Sequence, residues 1–186
     1  MLAVMNDFEK KLKGIKFDVT RNIMYHGARE GFYGGLHKSV MFLTTFFGTG
    51  AAIVVLKEGP ELLSVTLGLL VAVASTLDLV IDLSGSARLH NGLRQRYFAL
   101  MGELEDCVDE SADLSAINKR IYALYGEEPP QLRALDAICW NQTRLALYPE
   151  VQFGDLIHIK WNESFFRHVW AFSDSKFQYN SEIQKA

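Results

Sequence analysis

Hydrophobic and polar positions divide the chain into ordinary amphipathic stretches around one central block that is apolar almost without interruption. In the first stretch, residues 2–38, Met5, Phe8, Leu12, Ile15 and Val19 recur at 3-4-3-4 spacing, which predicts a helix with one apolar seam. The seam suits a short coiled coil and packing within the same protein equally. The following GAREGFYGG carries Gly27, Gly31, Gly34 and Gly35, each costing a helix about 1 kcal/mol. It predicts a bend, or close helix–helix packing just before the apolar block.

The block itself consists of SVMFLTTFFGTGAAIVVL (39–56) and LLSVTLGLLVAVASTLDLVIDL (62–83), separated only by KEGPE (57–61). A membrane span needs ~20 mainly apolar residues. The first run meets this with Leu36 and a snorkelling Lys38 included, and the second if Asp78 and Asp82 are tolerated. Gly59-Pro60 marks a tight turn, because proline cannot continue the first helix and glycine accepts unusual dihedrals. The pattern therefore predicts two antiparallel transmembrane helices. Lys38 and Arg29 precede them, and Arg88, Arg94 and Arg96 follow, while the turn sets one lysine against Glu58 and Glu61. By the positive-inside rule both termini are expected in the cytoplasm.

Residues 84–148 continue as helical pattern. Leu89, Leu93, Tyr97 or Phe98, Leu100 and Leu104 form a broad apolar face, and LSAINKRIYALYG and PQLRALDAICWNQTRLALY follow. Pro129-Pro130 separates these last two, with Pro130 expected near the first helical position. The expected fold class is an all-α membrane protein: a two-helix transmembrane hairpin with cytosolic helical extensions forming a bundle. In 149–186, the aromatic VQFGDLIHIKWNESFFRHVWAF is expected either to close that bundle as a helix or to lie along the membrane interface, where tryptophan is favoured. SEIQKA is a polar tail.

Composition changes this picture little. A net charge of −3 argues against nucleic-acid binding, which usually shows a basic excess. Cys107 and Cys139 make neither a zinc pattern nor a disulfide framework and read as reduced thiols. The N-terminus lacks the basic-then-apolar order of a signal peptide, so the glycosylation triplets at Asn141 and Asn162 carry no weight. His26, His37, His90, His158 and His168 form no ligand pair. Glu103, Glu105, Asp106, Asp109 and Glu110 lack the alternation and central glycine of a calcium loop, and no phosphate-binding glycine loop is present. The reading is of a non-enzyme without cofactor or metal.

Chemistry concentrates on the second apolar run. One stripe holds Ser64, Gly68, Val71, Ser75, Asp78 and Asp82, and the first run has a comparable row at Thr44, Gly48 and Ala52. Such rows let membrane helices approach closely, so they serve packing within the hairpin or between copies, or line a pore. Asp82 is expected about 30 Å from Leu62, at the cytoplasmic interface, and Asp78 about one turn deeper. There the acids call for partners, with Arg88 and His90 the candidates, or for a place around an oligomer axis as stacked rings that attract cations.

Two stretches resemble the SLATT domain family. DLVIDLSGSARLHNGLRQRYFALMGELE is similar to the family's passage from the second membrane helix into its cytosolic helix. EEPPQLRALDAICWNQTRLAL is similar to its C-terminal segment, with Pro129, Pro130, Leu135, Asp136 and Asn141 in the corresponding places. The resemblance covers about residues 20–148. It implies a membrane-embedded, homo-oligomeric effector of bacterial conflict systems that perforates or depolarises the inner membrane when a separate sensor or nucleotide-signalling partner is triggered. No catalytic residues come with it. A non-conducting membrane anchor that recruits a partner through its cytosolic helices is the alternative. A soluble bundle with a buried central hairpin is the third reading.

Overall fold

A computed structural model describes residues 6–107 and 113–183. Met5 of the predicted seam, Asp109 and Glu110 of the acidic run, and residues 184–186 of the tail lie outside them. The predicted periodicities become α1 (Asp7–Leu56), α2 (Glu61–Ile81), α3 (Leu83–Asp106), α4 (Leu114–Tyr125) and α5 (Arg133–Leu147), followed by a 3-10 turn (Phe153–Asp155), α6 (Trp161–Phe165) and α7 (Asn180–Ile183). Among the described residues the fold is helical, with one isolated β-bridge between Ile157 and Tyr179. It divides into two compact units, Arg29–His90 and the remaining chain, and α1 and α3 contribute to both.

α1 is helical throughout the glycine-rich segment, so these glycines do not interrupt the helix. Helical hydrogen bonds continue on both sides, and a glycine's cost of about 1 kcal/mol does not break a helix anchored by tertiary contacts. The helix ends instead at the predicted turn. Here the left-handed residue is Glu58, at φ 51°, and not Gly59. Gly59 is needed for a different reason: its N–H reaches back to the Val54 carbonyl at 2.8 Å, and a Cβ would press on Val54. This is the Schellman arrangement, with the glycine one position later than usual.

In the larger unit, Ile15 and Val19 of the predicted seam are buried with Leu93, Tyr97, Leu100 and Leu104 of α3 and Ile117, Ile121 and Leu124 of α4. Leu12 packs against that core, so the seam serves the same protein. Tyr97, not Phe98, faces inward, and Leu89 is exposed. A second cluster joins Tyr25 of α1 to Leu135 and Cys139 of α5. Leu132 caps α5, so Pro130 precedes the helix and does not occupy its first position. The Leu132 N–H is held by the Tyr25 hydroxyl at 2.9 Å, which fixes it in extended conformation outside the helix.

Residues 149–183 are not the single aromatic helix expected. From 157 to 160 Ile157 and Ile159 alternate with His158 and Lys160, a period-two pattern that favours extended backbone. Asn141 on α5 supplies the partner: its side-chain amide donates to the Ile157 carbonyl and accepts the Ile157 N–H, both at 2.8 Å. Asn180 likewise donates to the Phe153 carbonyl at 2.9 Å, while His158 N–H bonds Gln178 and Asn180 N–H bonds Leu156. Side-chain amides replace a helix ladder here, and only short helical turns remain.

In the unit Arg29–His90, α2 has no buried residue, and large apolar side chains such as Phe42, Phe46, Leu62, Leu69 and Leu79 are exposed. The two helices are long and apolar enough to cross a membrane.

Candidate functional site on the apolar hairpin

Half-buried positions define where the two apolar helices meet. On α2 they are Ser64, Leu67, Val71, Ala74 and Asp78; on α1 they include His37, Val40, Thr44, Phe47, Gly48, Ala51 and Val54. The 3-4 alternation is that of antiparallel helices packed along one seam. Two contacts fix its register: Leu67 lies against Gly50, and His37 Nδ1 lies 3.0 Å from Asp78 Oδ1. Ser64, Val71 and Asp78 of the predicted stripe therefore fall on the seam, as do Thr44 and Gly48. Gly68, Ser75 and Ala52 do not; they are exposed. The predicted row drifted one position off because it followed small residues, whereas the seam admits Leu67 opposite a glycine.

Hydroxyls along the hairpin are satisfied locally. Thr44 donates to the Met41 carbonyl at 3.0 Å, Ser64 to Glu61 at 2.8 Å, Thr66 to Leu62 at 2.7 Å and Thr76 to Ala72 at 2.8 Å. Such bonds to the preceding helical turn satisfy these donors without water, which is what an apolar surrounding requires.

The two acids have different roles. Asp82 stands outside both helices, with φ 47° and ψ 60°. Its carbonyl accepts the Ser86 N–H at 2.8 Å and its carboxylate accepts the Gly85 N–H at 2.9 Å. Asp82 is thus the residue that ends α2 and caps α3. Aspartate tolerates the left-handed region because its short side chain can bond its own backbone surroundings. Gly85 belongs to this device, since a Cβ there would collide with the Asp82 carboxylate. The second apolar helix consequently stops at Ile81 instead of continuing to 83.

Asp78 pairs with His37 across the seam, not with the expected Arg88 or His90. Arg88 donates to Ser84 one turn back on α3. His90 is buried, and its ring stacks on Tyr33 at 5.8 Å and 14°; Tyr33 also receives the Arg29 guanidinium, 4.5 Å from its ring. Sequence reading missed His37 because it lies on the other helix, 41 positions away, with no spacing rule to link the two.

Comparison with known family models, curated proteins and solved structures finds no match.

A second polar constellation lies wholly within the larger unit. The His26 side chain is buried, and its Nε2 is 3.2 Å from Glu128 Oε1, whose side chain is only 4% exposed. Tyr97 donates its hydroxyl to the same carboxylate, and Gln131 approaches its other oxygen at 3.3 Å. The His26 ring stacks on Tyr97 at 5.6 Å. Burial pushes the Glu128 carboxyl up, but the bonds from His26 and Tyr97 outweigh it and leave the group below its ordinary value. Nearby, Asp136 is raised by burial, an effect that Arg21 at 3.5 Å only partly offsets. Burial beside Asp136 pushes the Cys139 thiol up to about 12, which makes it unreactive. Leu135, Asp136 and Asn141, on which the resemblance rests, thus each serve the fold. Leu135 fills the core, Asp136 pairs with Arg21, and Asn141 clamps the loop at Ile157.

Proposed function

We propose that this chain is a membrane-embedded effector of the bacterial inner membrane, with its hairpin in the bilayer, both termini in the cytoplasm and the larger unit forming a cytosolic bundle. Assembled as a homo-oligomer, it breaches or depolarises that membrane in antiphage defence, as the resemblance to the SLATT family implies. A single observation carries the reading: the two helices meet along one narrow seam and leave the rest of their apolar surface uncovered, with no buried residue on α2. In water such a surface would drive aggregation. In a bilayer it faces lipid or further copies, and the internally bonded hydroxyls fit that setting.

The acid ring is narrower in this reading than two stacked carboxylates. Asp82 is engaged as a helix cap, so Asp78, tied to His37, is the remaining acid for a cation-attracting mouth. The second reading, a non-conducting anchor that recruits a partner, is favoured by this same engagement, because both acids have structural partners inside one chain. Induced expression with a potential-sensitive dye separates the two. The effector collapses the potential while remaining in the carbonate-resistant membrane fraction; an anchor stays in that fraction and leaves the potential intact. Loss of the chain to the soluble fraction overturns both.

A further inference from the structure

Residues 160–170, KWNESFFRHVW, carry a run of exposed large apolar side chains in the larger unit. Trp161 and Phe165 are 79% and 73% exposed and lie on one side of α6 by their four-residue spacing. The Phe165 and Phe166 rings meet at 4.9 Å, and the N–H groups of Val169 and Trp170 both turn back to the Phe166 carbonyl at 3.0 Å. Val169 and Trp170 are 65% and 66% exposed. Five large apolar side chains are thus left uncovered within ten consecutive positions, where solvent-exposed apolar groups of this size concentrate at interaction surfaces.

Charge is arranged to match. The single carboxylate of the stretch, Glu163, is 3% exposed, and its oxygen accepts the Lys160 N–H at 2.9 Å. Lys160 is exposed and Arg167 half-buried; exposed Asp174 and Lys176 line the same cavity as Lys160 and Trp170, so cations outnumber the exposed acid around this face. Two tryptophans, two phenylalanines and an excess of cations over exposed acid make up the chemistry of a bilayer interface: amphipathic rings at headgroup depth and cations toward anionic lipid.

We propose that this face is a second lipid contact, docking the larger unit on the surface of an anionic bilayer. It rests on the reading that the hairpin lies in a membrane, since α1 and α3 then keep a lipid surface within reach at high effective concentration.

The three tryptophans make the test direct. Trp140 packs between Phe17 and Tyr179 with Arg144 over its ring, so it serves as the internal reference. Full-length protein with a single remaining tryptophan (W140F/W170F, W140F/W161F and W161F/W170F) is reconstituted into vesicles of phosphatidylcholine and phosphatidylglycerol. It is first floated on a density gradient, then exposed to phosphatidylcholine brominated near the carbonyl end of its acyl chains, and separately to acrylamide. Wild-type protein treated in parallel controls for the packing change at Trp140. The expected result is flotation, with Trp161 and Trp170 quenched by bromolipid about twofold or more beyond Trp140 and protected from acrylamide. Flotation with Trp161 and Trp170 quenched no more than Trp140 overturns the docking face and leaves the hairpin reading standing. In that case, acrylamide protection assigns the patch to a second copy of the chain, and acrylamide access assigns it to solvent. Failure to float overturns both.

Discussion

The hairpin and the larger unit share two continuous helices, yet they solve the problem of polar groups in opposite ways. In the hairpin, Ser39, Thr44, Thr45, Ser64, Thr66 and Thr76 turn to the carbonyl a turn behind them, and large apolar side chains face outward. In the larger unit apolar side chains face inward, and polar ones such as His26, Glu128, Tyr97 and Asn141 bond over sequence distances of 16 residues or more. α1 passes from one regime to the other along its length: Tyr25, His26 and Arg29 are buried, whereas Phe42 and Phe46 are exposed. The contrast teaches that helix formation and core formation are separate matters. The same backbone is stabilised by burial at one end and, in our reading, by an apolar solvent at the other.

Leucine truncation breaks the comparison most sharply. Leu100→Ala empties a fully packed site between α1, α3 and α4 and is expected to cost about 2–5 kcal/mol. Leu69→Ala removes the same atoms from an exposed hairpin position and is expected to cost less than about 1 kcal/mol. Urea unfolding in a mild detergent, followed through Trp140 emission and circular dichroism, measures both. Equal costs would mean that the hairpin has a core of its own.

The buried carboxylate gives the next largest effect. Glu128 is held below its ordinary value when folded, so it adds stability above its unfolded pKa of about 4.3, and that contribution is lost as pH falls through the folded value. Glu128→Gln is expected to cost about 1–3 kcal/mol at neutral pH. It should also flatten the acid limb, with variant and wild type converging as pH falls below the lowered folded value. Asp136 has the opposite sign: its raised folded pKa means its contribution is present at acid pH and lost as pH rises. An acid limb unchanged by Glu128→Gln would show that the carboxylate is not held by His26 and Tyr97.

The smallest of the three effects concerns the junction between α2 and α3. Gly85→Ala drives a methyl group into the Asp82 carboxylate and is expected to cost about 1–2 kcal/mol through loss of the cap. Adding Asp82→Ala removes the collision, so the double variant is expected to be less destabilised than the sum of the single ones. Limited proteolysis around residues 82–86 reads this directly; additive costs would separate Gly85 from the cap.

Much of this was legible in the sequence. Ser39 to Leu56 without a charge, and the 3-4 spacing of Leu12, Ile15 and Val19, each fix a helix and its apolar face by local periodicity. The Gly-Pro turn placed the hairpin because proline's missing N–H is a local fact. The pairing of Asp78 with His37 was not legible, nor was the role of Asp82, which the apolar pattern of the same run carries onward as helix. Likewise, nothing local announces that Asn141 clamps Ile157 and so turns an aromatic stretch into a folded loop.

By itself, then, the sequence determined which segments are helical, which of them are long and apolar enough to cross a membrane and where the chain must reverse. The tertiary structure decided which carboxylate is a cap and which a pair, which aromatic ring enters the core and which glycine is indispensable. The division has one cause: periodicity and propensity act over a few residues, whereas a buried polar group takes its meaning from the partner that folding brings within about 3 Å of it.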